Sequence, residues 1–352
     1  MLYYGDSNTT ENTFFKALKS RFRVNMLGEV HWYLGFKISR HGNDYIIDQS
    51  RYALNITEKF SKCATIKPRS SPLPSELTFT KKDMASSQEE TKQVTELYGN
   101  LHYRSAIGAL IYLSSGTRPD ITFAVSKLAK FSNSPGQIHF KALVWLMGYV
   151  KETYNRGIRF YSRIGDSPIH RLLKENDIET NSTHLLTFSD ASWQDCPDTG
   201  RSTCGRISFF QGGVVDHSTY VPVPVAMSSG EAEYLGAAGA AIGAAHLRML
   251  YHDFKNLGSP HYNVENMEQE PPSLIMVDNE AAIAMSKSDK DTARTRHISR
   301  RYHFVRQGVS AKPQQHVLKW IGTKSQLADF LTKVGKFEDL WNKVFVIPRN
   351  DA

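Results

Sequence analysis

Four acidic side chains stand where the chain changes element. Asp190 follows the apolar run His-Leu-Leu-Thr-Phe-Ser at 184–189, which reads as a buried strand. Glu231 opens an Ala-rich helical run after Ser-Ser-Gly at 228–230. Asp278 ends the apolar Leu-Ile-Met-Val at 274–277 and is followed by a second helical pattern. Asp329 lies in Gln-Leu-Ala-Asp-Phe-Leu-Thr-Lys at 326–333. Strand ends and helix starts can meet at one edge of a sheet. Carboxylates brought within about 4 Å there repel by roughly 4 kcal/mol per pair at an effective dielectric near 20. Such a cluster calls for raised pKa values or for bound cations. Oxygen donors without His or Cys favour Mg²⁺, with Mn²⁺ as the alternative, over Zn²⁺. Two such ions stabilise the attacking and leaving oxygens of a phosphodiester displacement, which is the chemistry of a nuclease.

Each acid also has a purely structural reading. Asp190 can simply end its strand, and Asp278-Asn279 can cap a helix. Ser228-x-x-Glu231 is a capping box, in which the glutamate reaches back to helix N-terminal amides. Asp329 can be an exposed helical acid. A basic run at 294–306 carries Arg294, Arg296, His297, Arg300, Arg301, His303 and Arg306. It is suited to phosphate contact, with binding that weakens steeply with salt, or it is a solvated helix face.

The elements that must position these groups follow from the hydropathy pattern. Phe14, Leu18 and Phe22 mark a first helix, 31–38 alternates toward a strand, and His41-Gly42-Asn43-Asp44 reads as a hairpin turn. A helix at 51–60 precedes a polar connection that begins at Pro68, Pro72 and Pro74. Three amphipathic helices are expected over 98–158, one of them opened by Pro119-Asp120. A single strand is expected over 205–215 and another over 315–321, giving a mixed sheet with helices between. Gly236, Gly239 and Gly243 line the Ala-rich helix at close spacing and allow near approach to that sheet. The chain is long enough for two cores, and its 22% charged, 40% hydrophobic composition is that of a folded protein. A net charge of +8 suits a polyanionic partner. Cys63, Cys196 and Cys204 show no metal-ligand spacing and suit a reducing compartment. No signal peptide and no membrane-length apolar stretch is read, so a cytoplasmic or nuclear, unsecreted protein without a membrane partner is expected.

An ordered series of motifs adds a resemblance. Asp-Ala-Ser-Trp at 190–193, Arg-Ser-Thr-Cys-Gly at 201–205, Ser-Ser-Gly-Glu-Ala-Glu-Tyr at 228–234 and Val-Asp-Asn-Glu-Ala-Ala-Ile at 277–283 come first. Arg-Thr-Arg-His-Ile at 294–298, Arg-Tyr-His-Phe at 301–304 and the 326–333 motif complete it. The series resembles the ribonuclease H domain of Ty1/copia retrotransposon polyproteins. Upstream, Leu-Gly-Glu at 27–29, Tyr-Leu-Gly at 33–35, Tyr-Arg-Ser-Ala-Ile-Gly at 103–108 and Thr-Arg-Pro-Asp-Ile at 117–121 resemble the C-terminal part of the reverse transcriptase of that family. The family's Tyr-Val-Asp-Asp polymerase motif is absent, so polymerase activity is not expected.

The resemblance implies a mixed α/β and α+β chain. A hairpin-and-helix remnant of a reverse transcriptase would fill 1–160, a linker 161–183, a ribonuclease H-like mixed sheet 184–333 and a tail 334–352. It implies that Asp190, Glu231, Asp278 and Asp329 hold two Mg²⁺ ions and cut the RNA strand of an RNA/DNA hybrid. Arg294, Arg296, His297, Arg300 and Arg301 would contact nucleic acid, and other element-encoded Pol or capsid proteins are possible partners. Two departures stand out. Asp216–Pro224 replaces a segment that usually carries paired lysines, and Ser192 replaces a usual Asp. The alternative is a non-catalytic, nucleic-acid-binding relic.

Overall fold

The computed structural model describes residues 8–75, 77–179, 185–256, 270–288 and 303–348. Within them the protein is mixed α/β, with two sheets and eleven α-helices. Helix α1 (Asn8–Arg21) leads to a four-stranded antiparallel sheet in the order β1-β2-β3-β4. Its strands are β1 (Trp32–Tyr33), β2 (Phe36–His41), β3 (Asp44–Asp48) and β4 (Gly157–Phe160). The expected turn joins β2 to β3, with Gly42 at φ +60°. Between β3 and β4 run α2 (Ser50–Ser61), α3 (Gln88–Leu97), α4 (Tyr103–Thr117), α5 (Thr122–Ala129) and α6 (Gln137–Glu152). The three helices read over 98–158 are therefore α4, α5 and α6. Helix α7 (Pro168–Glu175) follows, capped by the Ser167 hydroxyl and burying Ile169, Leu172 and Leu173.

The second sheet has the order β7-β6-β5-β8-β9. Strands β5 (Leu185–Ser192), β6 (Thr203–Phe210) and β7 (Gly213–Tyr220) form an antiparallel meander. Helix α8 (Ser229–Lys255) crosses the sheet, after which β8 (Ser273–Val277) pairs parallel to β5. Helices α9 (Glu280–Lys287) and α10 (Phe304–Ser310) precede β9 (His316–Trp320), which is parallel to β8. Helix α11 (Glu338–Val344) closes the described chain.

The strand expected over 205–215 is two strands. Gln211 (φ 50°) and Gly212 (φ 74°) both take the left-handed backbone, the twist that folds a two-residue hairpin, so the chain reverses at 211–212 and β7 becomes the sheet edge. The edge position also accommodates the prolines at 222 and 224, which lie just beyond β7.

Side-chain alternation divides the second sheet into two faces. Leu186, Phe188, Ile207, Phe209, Leu274 and Met276 join an apolar cluster that runs from Ala53 in α2 to Phe345 after α11. Ile275, Val277 and Leu318 pack with the alanines of α8 instead. The small residues of α8 permit that approach: a Cβ at Gly239 would lie 1.8 Å from the Tyr220 hydroxyl oxygen. Among the described residues, no helix is long and apolar enough to cross a membrane.

Candidate metal centre

Parallel pairing of β5 with β8 brings the first two acids together. Phe188 pairs with Met276, so Asp190 and Asp278 each lie two residues further on, at the same end of adjacent strands. Asp329 reaches this edge from a single 3₁₀ turn, Asp329–Leu331. Carboxylate oxygens of Asp190, Asp278 and Asp329 all lie within 4.8 Å of one another. Asp190 and Asp329 are buried and Asp278 is half-buried.

Neutral donors orient the carboxylates. Thr332 Oγ1 donates to Asp190 Oδ2, and Thr323 Oγ1 donates to Asp278 Oδ2 at 3.0 Å. Among the described residues one cation joins them: Lys333 Nζ lies 2.9 Å from Asp329 Oδ1 and 3.3 Å from Asp190 Oδ1.

Glu231 does not join the three aspartates. Its backbone N–H donates to Ser228 Oγ at 3.3 Å, and its Oε2 accepts from the N–H of Met227, the residue before the N-cap, at 2.7 Å, so its carboxylate is engaged at the start of α8. The acid that faces the cluster from α8 is Glu233. Its Oε1 accepts from the Ala191 N–H at 3.1 Å, next to Asp190. Its buried Oε2 has no hydrogen-bond partner among the described residues. The correction has a simple cause. Two residues along a helix are about 200° apart, so the carboxylate committed to the cap and the one turned to the sheet cannot be the same. The Ser228-x-x-Glu231 spacing pointed to a helix-terminal role for Glu231 but said nothing of which way Glu233 faces.

Electrostatics agree with the geometry. Burial, then the carboxylates of Asp190 and Asp278, push Glu233 up to about 9. Burial and Asp190 push Asp329 up to about 6, against the lowering pull of Lys333. Asp278 is raised by burial and by Asp190. Burial alone would lower Lys333, but Asp190 and Asp329 hold its ammonium above the ordinary lysine range. Among the described residues the like charges are thus incompletely compensated, and the Glu233 carboxyl, whose Oε2 has no hydrogen-bond partner there, feels both Asp190 and Asp278. The three aspartates are a donor set that could hold a hard divalent cation.

Arg294, Arg296, His297, Arg300 and Arg301 lie outside the described residues. Of the same basic run, His303 is described, with Nδ1 3.0 Å from the Tyr234 hydroxyl beside Glu233. Lys333 and Thr332 also line a cleft of about 300 Å³ together with Lys127, Lys130 and Asp195, between α5 and the loop after β5. Trp193 is half-exposed and donates its indole N–H to the Ala226 carbonyl at 3.0 Å.

No family model matches the chain. It is similar to the retrovirus-related Pol polyprotein from transposon TNT 1-94 of Nicotiana tabacum, 30% identical over 326 residues, which are 91% of this chain and 22% of the polyprotein. The Pol polyprotein from transposon RE1 of Arabidopsis thaliana is 29% identical over 333 residues, 95% of this chain and 20% of that one. An uncharacterized mitochondrial protein of Arabidopsis thaliana is 31% identical over 234 residues, covering 85% of its own length and 66% of this chain. The chain spans about a fifth of the length of the polyproteins. With these relatives aligned along nearly its whole length, the chain belongs to the retrovirus-related Pol polyproteins of Ty1/copia-type transposons.

Proposed function

We propose that the 184–333 region is a metal-dependent ribonuclease H that hydrolyses the RNA strand of an RNA/DNA hybrid. The observation that carries the reading is the convergence of Asp190, Asp278 and Asp329 at one sheet edge, with Glu233 facing them. The mixed sheet, an antiparallel meander continued by two parallel strands and crossed by α8, is consistent with the ribonuclease H-like fold that the resemblance implies. Two Mg²⁺ ions, or Mn²⁺, would be held by these four carboxylates and would supply charge stabilisation for attacking and leaving oxygens.

The chain's own groups then have defined tasks. Thr332 and Thr323 fix the carboxylates of Asp190 and Asp278, and the Ala191 N–H fixes Glu233. Water attacks the phosphodiester in line with the departing 3′ oxygen, and 5′-phosphate and 3′-hydroxyl ends result. No protein nucleophile is needed. The surrounding polymerase-derived elements carry no polymerase chemistry in this reading.

The test is cleavage of a hybrid labelled on each strand, with Mg²⁺, by the full chain and by Asp278→Asn. Loss of an outer-shell partner in such sites costs 10–100-fold, so loss of a ligand is expected to cost more than about a hundredfold. Cutting confined to RNA and lost with Asp278→Asn is the expected result. A folded protein that binds the hybrid without cutting returns the non-catalytic reading.

A further inference from the structure

The carboxylate cluster has two unequal halves. On one side, Asp278 accepts from the neutral Thr323 hydroxyl, and Glu233 Oε2 has no hydrogen-bond partner among the described residues. Lys333 acts on both through its charge without forming an ion pair with either. On the other side, Asp190 Oδ1 and Asp329 Oδ1 share one ammonium, that of Lys333. Its position is built in. Lys333 stands four residues after Asp329 across the 3₁₀ turn, and its neighbour Thr332 is tied to both Asp190 Oδ2 and the Asp329 carbonyl.

A divalent cation and an ammonium compete for the same carboxylate oxygens, so a cation that binds there gives up the free energy needed to displace the ammonium. We propose that Lys333 is the internal counter-ion of this centre. A first divalent ion enters on the Asp278–Glu233 side, and a second, at Asp190 and Asp329, must displace the Lys333 ammonium. The side chain has somewhere to go. It is 39% exposed and lines the cleft that also holds Lys127 and Lys130, so rotation of its stem carries the charge outward without disturbing the turn. The consequence is a built-in threshold: the centre fills stepwise, and its second position stays weak until metal is abundant.

This inference rests on the metal-centre reading given above. It is tested by titrating the full chain with Mn²⁺ in a calorimeter at pH 7.5, without nucleic acid. The wild type is expected to show a tight and a weak step. Lys333→Met, which keeps the stem and removes the charge, is expected to tighten the weak step by about tenfold or more. Lys333→Arg is expected to stay close to wild type. In EDTA, Lys333→Met is expected to melt below wild type, because three close carboxylates lose their cation, and to recover when Mn²⁺ is added. Two equal steps in the wild type, unchanged affinities in folded Lys333→Met, or no Mn²⁺ bound by it would overturn the proposal. The hybrid assay separates the two claims. Stepwise binding that responds to Lys333→Met, without RNA cleavage at saturating Mn²⁺, sinks the nuclease and leaves the counter-ion. Cleavage with affinities indifferent to Lys333→Met does the reverse.

Discussion

Glu231 and Glu233 show how little separates a structural acid from a functional one. Both sit in the first turns of α8, both are buried, and they are two residues apart. The environments differ: one accepts from a cap N–H, the other faces two aspartates. Glu233→Gln is therefore expected to weaken Mn²⁺ binding by about 10–100-fold, a loss read by calorimetry. Glu231→Gln is expected to leave it within about twofold, because an amide oxygen accepts the same cap hydrogen bond. A different residue-scale effect is expected at His316, whose two ring nitrogens are buried without a partner among the described residues. Burial, helped by Arg248, drives its pKa down to about 4. The unfolded chain holds that proton up to about pH 6.5, so stability is lost as pH falls from about 6.5 toward 4, by an upper limit of about 3 kcal/mol. Denaturant melts at pH 7 and pH 5 should show the loss, and His316→Leu should flatten it.

At the scale of elements, α8 and the β6–β7 hairpin are fitted to each other. Gly239 leaves room for the Tyr220 hydroxyl, which donates to the Gly236 carbonyl at 3.2 Å. In solvent Gly239→Ala would favour the helix by about 1 kcal/mol. Here the added methyl meets the tyrosine ring end, and overpacking of this kind costs about 1–3 kcal/mol. A net loss of stability is expected, measured by urea denaturation, with partial recovery in Gly239→Ala/Tyr220→Phe. The small-residue spacing was legible in the sequence. The hairpin was signalled by Gly212-Gly213, a turn dipeptide between Ile207–Phe210 and Val214-Val215 that a single-strand reading passes over.

For the whole molecule, one buried ion network ties distant parts of the chain together. Asp120 accepts from Arg118 at 2.8 and 2.9 Å, from Tyr149 at 2.7 Å and from Arg156 at 3.1 Å. Arg156 in turn lies over the Trp341 and Phe345 rings at the end of the described chain. Asp120→Asn leaves the buried Arg118 guanidinium without its carboxylate, while the half-buried Arg156 keeps Glu338, and is expected to cost about 3–5 kcal/mol. Because the same apolar cluster runs from Ala53 to Phe345, the thermal transition should shift as a single step. Metal affinity should depend on pH across the whole centre. Ligands bind ionised, Asp329 loses its proton near 6 and Glu233 near 9, so Mn²⁺ affinity is expected to climb from pH 5.5 through pH 9. Calorimetric titrations at several pH values check this.

The strand ends carrying Asp190 and Asp278, the helix opened by Ser228, the three helices over 98–158 and the family were all readable from the sequence, since period, caps and motif order are local properties. Tertiary structure alone decided which acids meet. Register between β5 and β8 sets Asp190 beside Asp278, and helix phase turns Glu233 rather than Glu231 to the sheet. The turn after Gln326 lays both Asp329 and Lys333 against Asp190. Those placements depend on contacts between residues far apart in sequence, from 42 positions between Ala191 and Glu233 to 142 between Asp190 and Thr332, and no local pattern carries them.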